Sequence, residues 1–353
     1  MPSLTVDGVR IAAETGDTFL EAMQRAGTMS GLSCYAGDCG VCKCEYVSGQ
    51  FVELDDAAGA LAPAERARNI VLGCRAEVVG DVVIRSIRDD ERVTHPLRTV
   101  PTRVAAVDPL THDIKRFRLA IDNGASLEFS AGQYAKVTFA PDVHREYSMA
   151  NPPHDPVLEF HVRRTANGLA SNHVWHRLAV GDRVTVEGPQ GSCYLRDRHP
   201  APILLAGGGS GMAPMLSILE SALHLGMSQP IRLYFGVREE RDLYATERLD
   251  ALAAMHANFR YDIALSGPAP DVPNDSRATS RSFRRGMLHE LIAQDWGELV
   301  VGKAYLAGPP VMVEAVSALL RGRGVALHDI HADAYYTEAE KAKLQQHIAK
   351  AGS

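Results

Sequence analysis

The chain has 353 residues, of which 46% are hydrophobic and 23% are charged, and its formal net charge is −6. This length allows two or three domains, and the composition is that of a globular protein, not of a disordered or fibrous one. No stretch approaches about 18 consecutive apolar residues, which argues against a transmembrane helix. The first residues lack a basic region followed by an apolar run, so we expect a cytoplasmic protein that binds neither membranes nor nucleic acids.

The first segment begins with a predicted β-hairpin and a helix. Two alternating runs, Leu4–Val6 and Val9–Ile11, are joined by an Asp-Gly pair, which favours a tight hairpin turn. Thr18, with Glu21 three residues later, matches a capping box and predicts the start of a helix that ends at Gly27.

Four cysteines follow in a spacing typical of an iron–sulfur centre. Cys34, Cys39 and Cys42 form C-x4-C-x2-C, and Cys74 lies farther along the chain. Plant-type [2Fe-2S] clusters have this spacing, with the fourth thiolate supplied from elsewhere. Small residues dominate the loop, so backbone N–H groups can approach the bridging sulfides. We therefore predict that these four thiolates bind a [2Fe-2S] cluster and that the protein transfers electrons.

The same cysteines could instead form a zinc site or disulfides, or they could be buried thiols. Zinc motifs favour paired cysteine knuckles, but Cys74 stands alone, and nothing suggests the secretion that disulfides require. Cys44 and Cys193 are predicted to pack as small apolar side chains. Residues 1–92 also contain 15 acidic and 9 basic residues. This acidity could keep a small domain soluble, or it could steer a basic electron acceptor toward the cluster.

The rest of the first segment predicts a compact α+β unit that ends before a polar, proline-containing linker. A short helix at 63–68, the segment 70–74 that supplies Cys74, and a closing strand at 81–87 complete it. Short strands with intervening turns then predict an antiparallel six-stranded β-barrel. These strands are Thr102–Val107, Ile114–Ile121, Tyr134–Phe139, Glu146–Ala150, Leu158–Arg163 and Arg183–Glu187.

After residue 200, buried apolar strands alternate with helices, which predicts an α/β domain with a parallel sheet. The strands are Ile203–Ala206, Ile231–Phe235, Arg260–Leu265 and Ala304–Ala307, and the helices are Pro214–Leu225, Glu247–Met255, Met287–Ala293 and Val311–Leu320. The predicted domains are therefore 1–92, 98–199 and 200–336, with a tail at 337–353.

A glycine-rich turn, Gly207–Pro214, joins the first of these strands to its helix, where backbone N–H groups can bind a pyrophosphate. It departs from the dinucleotide fingerprint because Pro214 replaces the third glycine, and it could be only a connecting turn. The predicted nucleotide-binding residues in this turn are Gly208, Gly209, Ser210, Gly211, Met212 and Pro214.

Several motifs in the same order resemble those of one family over nearly the whole chain. Arg145-Glu-Tyr-Ser148 resembles the flavin-binding motif of the ferredoxin-NADP reductase superfamily. With the cysteine motif, the chain looks like the reductase component of multicomponent aromatic-ring (Rieske) dioxygenases, and it is similar to the naphthalene dioxygenase reductase group. The other supporting motifs are Gly168–Ser171, Tyr234–Arg238, Asp242–Tyr244, Ala307–Pro310 and His331–Tyr335.

This resemblance implies a β-grasp ferredoxin domain, an FAD-binding barrel and an NAD(P)-binding domain. It implies that Arg145 neutralises the FAD pyrophosphate, that Tyr147 packs against the flavin and that Ser148 reaches flavin N5. It further implies flavin or FAD phosphate contacts from the backbone of His161, Val162 and Arg163, from Gly168 and Ser171, and from Tyr335, which would stack on the ring. Taken alone, Tyr147 and Tyr335 could be ordinary core aromatics.

Two positions bear on the nicotinamide coenzyme. The family usually has cysteine where this chain has Ala307, which the resemblance places near the nicotinamide together with Gly308 and Pro309. The second strand of the domain is followed by Val237 and Arg238 and then by Asp242, and we consider both Arg238 and Asp242 candidate coenzyme contacts. Relatives favour NADH, so we expect NADH, with NADPH also possible.

NADH gives up two electrons together, whereas an iron–sulfur cluster accepts one at a time, and a flavin can do both. The predicted function is therefore electron transfer from NADH through FAD and the cluster to a Rieske ferredoxin or a terminal oxygenase. The alternatives are a reductase for a diiron monooxygenase or another acceptor, and an electron carrier with vestigial flavin and nucleotide motifs. The aromatic substrate, the direct acceptor and the oligomeric state do not follow from the sequence.

Overall fold

The structure is a computed structural model that describes residues 2–26, 42–54, 61, 63–86, 93–122, 124–268 and 283–336. The chain divides into two compact units, one within residues 1–92 and the other spanning Val93–Tyr335. Across the described ranges, every helix is too short or too polar to cross a bilayer.

The first unit is an α+β fold built on a five-stranded sheet with the strand order β2-β1-β5-β3-β4. Its elements are β1 (Ser3–Val6), β2 (Val9–Ala12), α1 (Phe19–Arg25), β3 (Lys43–Glu53), α2 (Pro63–Arg66), β4 (Ile70–Leu72) and β5 (Ala76–Ser86). The central pair, β1 and β5, is parallel, and the other pairs are antiparallel. The predicted hairpin is present, because Asp7 (φ 49°) and Gly8 (φ 85°) both adopt the left-handed conformation that a type I′ turn requires.

The predicted capping box begins α1. The hydroxyl of Thr18 accepts a hydrogen bond from the backbone N–H of Glu21, and the Glu21 carboxylate accepts one from the backbone N–H of Thr18. Phe19, Leu20 and Met23 then bury one face of the helix. The predicted end of this helix, Gly27, lies outside the described residues.

The second unit begins with a six-stranded antiparallel barrel, and all six predicted strands are present. They are β6 (Arg98–Pro109), β7 (Ile114–Ile121), β8 (Tyr134–Ala140), β9 (Val143–Ser148), β10 (Val157–Arg163) and β11 (Arg183–Gln190), with helix α3 (Leu169–His176) after β10. The sheet order is β10-β7-β6-β11-β8-β9, and a bridge between Met149 and Phe160 joins its two ends. Alternating apolar side chains such as Phe117, Val137 and Phe160 fill the interior.

A six-stranded parallel sheet completes the unit, in the order β15-β14-β13-β12-β16-β17. Its strands are β12 (Ile203–Gly208), β13 (Ile231–Val237), β14 (Phe259–Leu265), β15 (Phe283–Arg285), β16 (Lys303–Gly308) and β17 (Ile330–Ala334). Its helices are α4 (Met212–His224), α5 (Thr246–Met255), α6 (Leu288–Gln294) and α7 (Pro310–Gly322). The sequence predicts the four inner strands but not the two edge strands, β15 and β17.

The barrel and the parallel sheet share an apolar core. Ile114 and Ala131 of the barrel lie in the same cluster of buried residues as Met215 and Leu219 of α4. The hydroxyl of Ser217 on α4 also donates a hydrogen bond of 2.7 Å to the carbonyl of barrel residue 151. Helices α6 and α7 cover the other face of the sheet. This packing brings the carboxyl ends of the parallel strands against the barrel.

Candidate cofactor-binding sites

Two of the four predicted cluster ligands lie side by side in the first unit. The sulfur atoms of Cys42 and Cys74 are 3.3 Å apart, and both side chains are buried. The backbone N–H of Cys74 also donates a hydrogen bond of 3.4 Å to the Cys42 sulfur. Two thiolates at this separation can bind one metal ion. Cys34 and Cys39, the other predicted ligands, lie outside the described residues.

The remaining described cysteines are buried among apolar side chains. Cys44 points into the core of the first unit, and burial raises the pKa of its thiol. Cys193 lies in the core shared by the barrel and the parallel sheet, where its thiol donates to the carbonyl of His331 over 3.2 Å. A raised pKa disfavours the thiolate, which is the form that binds metal.

A polar junction forms where the barrel meets the edge of the parallel sheet. Ser148, at the end of β9, donates a hydrogen bond of 3.2 Å to the carboxylate of Asp333 on β17. The Tyr335 hydroxyl lies 3.0 Å from the same serine oxygen. The one proton of Ser148 points to Asp333, so Tyr335 acts as donor to Ser148. Burial, followed by the charge of Asp333, raises the pKa of Tyr335 well above its usual value and keeps it protonated.

The other predicted flavin-binding residues lie on adjacent elements of the barrel. Arg145 and Tyr147 are on β9, where the Tyr147 ring packs edge-on against Phe117 at 6.3 Å. Gly168 precedes α3, and a Cβ atom there would lie 2.1 Å from the Thr165 hydroxyl, so any other residue would displace that hydroxyl. The first turn of that helix contains Ser171, whose hydroxyl donates to the Gly168 carbonyl over 3.2 Å. His161, Val162 and Arg163 occupy β10, where Val162 is in the barrel core.

A cavity of about 490 Å³ lies at the carboxyl edge of the parallel sheet. Ligands bind at this edge in open α/β folds. Gly208, Gly209, Arg238, Asp242 and Pro309 were predicted to bind the coenzyme, and all five line the cavity.

The glycines of the glycine-rich turn lie close to neighbouring atoms, which are the ends of flexible side chains beside Gly208 and Gly209 but fixed backbone beside Gly211. A Cβ atom at Gly208 would lie 2.6 Å from the Met312 sulfur, and one at Gly209 would lie 2.7 Å from an Arg163 side-chain nitrogen. Gly211 lies against the backbone of Ala307, which is fully buried in β16. Gly208 and Gly209 also line the cavity, so the backbone of this turn borders it.

The neighbouring predicted residues have different environments. The side chain of Met212 is in the shared core and Pro214 is also buried, whereas Ser210 is only partly buried. Gly308 adopts a φ of 139°, and a Cβ atom there would lie 2.9 Å from the carbonyl of Gly208. Ala307 pairs in register with Asp333, whose carboxylate contacts Ser148. The alanine is therefore one strand away from the polar junction.

Arg163 reaches from the barrel into the cavity. Its Nε donates a hydrogen bond of 2.7 Å to Asp113, and the guanidinium lies beside Gly209. Burial would raise the pKa of Asp113, but the hydrogen bond and charge of Arg163 lower it below its usual value. The turn at 207–214 contains no basic residue, so the positive charge beside it comes from a barrel residue.

The segment after β13 places both acidic and basic side chains on the cavity wall. Asp242 accepts a hydrogen bond of 2.9 Å from the backbone N–H of Glu239 and so fixes this turn. The Glu239 carboxylate pairs with Arg241 at 2.9 Å, and both residues line the cavity with Arg238. An acidic residue just after the second strand is where dinucleotide sites bind the ribose hydroxyls.

Comparisons with known proteins match three successive parts of the chain to known domain families. Residues 4–79 match the model of the 2Fe-2S iron-sulfur cluster binding domain, 101–194 match the oxidoreductase FAD-binding domain, and 205–318 match the oxidoreductase NAD-binding domain. Over 93% of its length, the chain is 41% identical to the reductase component of the naphthalene 1,2-dioxygenase/salicylate 5-hydroxylase systems of a Ralstonia species, of which it covers 96%. The chain belongs to the family of reductase components of oxygenase systems.

Two further comparisons support the same family. The reductase component of the naphthalene 1,2-dioxygenase system of Pseudomonas putida is 37% identical, over 92% of this chain and 95% of that protein. The crystal structure of an Amycolatopsis cytochrome P450 reductase is similar with a TM-score of 0.68 and 34% identity, over 95% of this chain and 98% of that one. The reductase therefore carries a [2Fe-2S] cluster and FAD and takes electrons from a nicotinamide coenzyme, as predicted.

The described residues fit these groups. Two adjacent buried thiols suit a cluster, which is bound by cysteine thiolates. A glycine-rich turn that borders the cavity suits a dinucleotide, because no side chain at Gly208 or Gly209 keeps a pyrophosphate away from the backbone. The turn at Gly168 begins a helix of eight residues, and helix N-termini attract phosphates such as those of FAD.

The polar residues at these sites of the reductase that were not predicted from the sequence include Asp113, Glu239 and Asp333. Glu239 follows Arg238 directly, and its position after an apolar strand could have identified it. Asp333 could not be identified in this way, because it contacts Ser148, which is 185 residues away in the sequence, only in the folded protein.

Proposed function

We propose that the reductase passes electrons from NADH through FAD and its cluster to a Rieske ferredoxin or directly to a terminal oxygenase that hydroxylates aromatic rings. The single observation that supports the flavin and coenzyme roles is the junction of Ser148, Asp333 and Tyr335 in the unit that also holds the glycine-edged cavity. The named relatives serve naphthalene dioxygenase systems, which favours an aromatic oxygenase, whereas the structural relative is a cytochrome P450 reductase. The direct acceptor stays a prediction, as does the cytoplasmic location.

We assign the roles as follows. When bound, FAD accepts two electrons from the coenzyme and releases them singly to the cluster. Ser148 would orient the reactive edge of the flavin, with Asp333 holding the serine proton and Tyr335 covering the ring. Arg145, Gly168 and Ser171 would hold the FAD phosphates. The domains 1–92, 98–199 and 200–336 would carry the cluster, the flavin and the coenzyme.

The coenzyme phosphates would bind the glycine loop with Arg163 as their cation. Charge-assisted hydrogen bonds contribute about 1.5–3 kcal/mol, so we expect Arg163→Gln to raise the Kd for NADH by roughly 10- to 100-fold. Arg164→Gln is a matched control, because Arg164 stacks on Trp175 at 5.9 Å and does not line the cavity. Equal Kd values for the two variants would remove Arg163 from the coenzyme site.

An anaerobic titration tests the proposal as a whole. The purified holoprotein should lose its flavin absorbance and then its cluster absorbance as NADH is added, and purified Rieske ferredoxin should then be reduced. A flavin that NADH leaves oxidised would refute the proposed function. Added salt should slow transfer to the natural acceptor but not to a small neutral dye if the acidic residues in 1–92 steer docking.

A further inference from the structure

A buried chain of polar side chains connects the barrel to the coenzyme loop. Glu159 and His161 lie on β10, and their side chains are in contact, with His161 Nε2 3.0 Å from the Glu159 carboxylate. On its other side, His161 Nδ1 lies 3.3 Å from the hydroxyl of Tyr244. That hydroxyl donates a hydrogen bond of 3.2 Å to the carbonyl of Gly209. Three contacts therefore run from the barrel to the glycine loop.

The three side chains that make these contacts are almost completely buried, with exposed fractions of 8% for Glu159, 6% for His161 and 5% for Tyr244. Buried polar groups destabilise a fold unless they are hydrogen-bonded, so the contacts determine how these side chains are arranged. The Tyr244 ring is further held edge-on to His161 at 5.3 Å and to Phe235 at 5.6 Å. Its hydroxyl thus has little freedom to move.

Neighbouring charged groups determine the protonation states of Glu159 and His161. Burial would raise the pKa of Glu159, but His161, Arg248 and Arg116 together lower it below its usual value. Both guanidinium groups are near the carboxylate, at 3.7 Å for Arg248 and 4.0 Å for Arg116. The ionised Glu159 only accepts hydrogen bonds, so the proton of a neutral His161 resides on Nε2. Burial lowers the pKa of His161, which favours this neutral form.

The single proton of Tyr244 is consequently in reach of two acceptors. His161 Nδ1 carries no proton in this form, and the Gly209 carbonyl is the other acceptor. The proton goes to the carbonyl of Gly209, the nearer acceptor at 3.2 Å, which thereby gains a second partner beside the backbone N–H of Met212, and His161 Nδ1 packs against the hydroxyl at 3.3 Å. A phosphate-binding loop needs its N–H groups directed at the anion and its carbonyl oxygens directed away, because carbonyl oxygens repel phosphate.

We propose that Tyr244, supported by His161 and Glu159, is a positioning residue that holds the Gly209 carbonyl away from the coenzyme and keeps the glycine loop ready to bind pyrophosphate. Gly209 has a φ of 54°, and its carbonyl accepts hydrogen bonds from both the backbone N–H of Met212 and the Tyr244 hydroxyl, so Tyr244 adds a second partner, from a side chain, to this carbonyl. The inference rests on the proposed coenzyme site and adds a residue that does not line the cavity.

The test compares two variants that each lose one buried tyrosine hydroxyl. Tyr244→Phe removes the hydroxyl next to Gly209. Tyr234→Phe is the matched control, because Tyr234 is fully buried on β13 and its hydroxyl donates to Asp295 over 2.8 Å, away from the loop. The Kd of NAD⁺ is measured by calorimetry on the oxidised holoprotein, and the limiting rate of flavin reduction is measured at saturating NADH.

We expect Tyr244→Phe to raise the Kd for NAD⁺ about threefold to tenfold, as the loss of one hydrogen bond predicts, with a limiting rate within about twofold of the wild type. Tyr234→Phe should leave the Kd within about twofold of the wild type, although both variants should unfold at lower temperature. Equal Kd values for Tyr244→Phe and the wild type, or an equal loss in both variants, would overturn the inference. A wild type that does not bind NAD⁺ would instead refute the coenzyme site.

A second measurement uses the unaltered holoprotein, in case Tyr244→Phe loses its fold. Amide hydrogen exchange of the loop at 207–212 should already be slow before NAD⁺ is added, because the loop is held in place beforehand. Exchange that is fast without NAD⁺ and slow only with it would contradict a positioning role for Tyr244.

Discussion

Replacing Gly211 with alanine should separate the glycine loop from the strand behind it. Gly211 has a φ of −63°, which alanine adopts without strain, so only the added methyl group matters. That Cβ atom would lie 2.1 Å from the carbonyl oxygen of Ala307 and 2.8 Å from the Cα of Gly308, well short of the 3.4 Å at which ordinary contact begins. Both neighbours are backbone atoms in a buried strand, and they cannot rotate away as a side chain would.

Overpacking of this kind costs about 1–3 kcal/mol. A unit of this size loses about 2–4 °C in Tm for each kcal/mol, so we expect Gly211→Ala to unfold roughly 3–10 °C below the wild type. The displaced loop should also raise the Kd for NADH, while the iron and sulfide content stays unchanged. Calorimetry gives the Tm, and the NADH dependence of anaerobic flavin reduction gives the Kd.

Gly322→Ala is the control for this prediction. Gly322 ends α7, and an added Cβ atom there meets nothing within 4 Å. Alanine favours a helix over glycine by up to about 1 kcal/mol, so this variant should be as stable as the wild type or more so. If Gly211→Ala matched the wild type in both Tm and Kd, the close packing of the loop against β16 would be wrong.

Three more predictions concern the cluster, the coenzyme and pH. Cys42→Ser should remove most of the iron and sulfide, whereas Cys44→Ser should keep both by elemental analysis; iron loss in the second variant would make Cys44 a ligand. Glu239→Gln should raise the ratio of kcat/KM for NADPH over NADH by about tenfold, because a charge that repels the extra phosphate is removed, and an unchanged ratio would exclude Glu239 from the ribose site. Burial lowers the pKa of His331 well below its usual 6.5. Below about pH 6.5 the unfolded chain therefore binds a proton at His331 that the folded chain does not, and the free energy of unfolding falls as the pH falls. His331→Phe, which keeps a ring against Tyr305, should reduce the fall in Tm between about pH 7 and about pH 5.5, and an unchanged fall would assign the effect to different groups.

Local patterns in the sequence predicted most of the fold. The Asp-Gly pair defines its hairpin because both residues tolerate positive φ, and apolar and polar residues alternate most clearly in two of the six barrel strands, at Arg116–Ile121 and Leu158–Val162. The two missed strands lack such patterns. Phe283–Arg285 is only three residues long, and in Ile330–Ala334 the polar residues His331 and Asp333 are partly buried beside the barrel.

The candidate sites divide in a similar way. Ligand spacing near Cys42 and the glycine run at Gly208 are local, so the sequence could identify them. The contacts of Asp333 with Ser148 and of Tyr244 with His161 form only in the folded chain, and no spacing rule connects residues so far apart. Sequence reasoning therefore finds the elements that bind a cofactor more readily than the side chains that orient it.

The apolar core common to the barrel and α4 bears on how chimeric reductases are best assembled. A cut near residue 200 would expose Ile114 and Ala131 on one fragment and Met215 on the other, and each would lose its packing partners. Joining the parallel-sheet domain of another reductase to this barrel would thus require redesign of the whole shared core. Exchange of the complete unit Val93–Tyr335 keeps the shared core intact. We expect this unit to be the smallest exchangeable segment that retains both flavin and coenzyme binding.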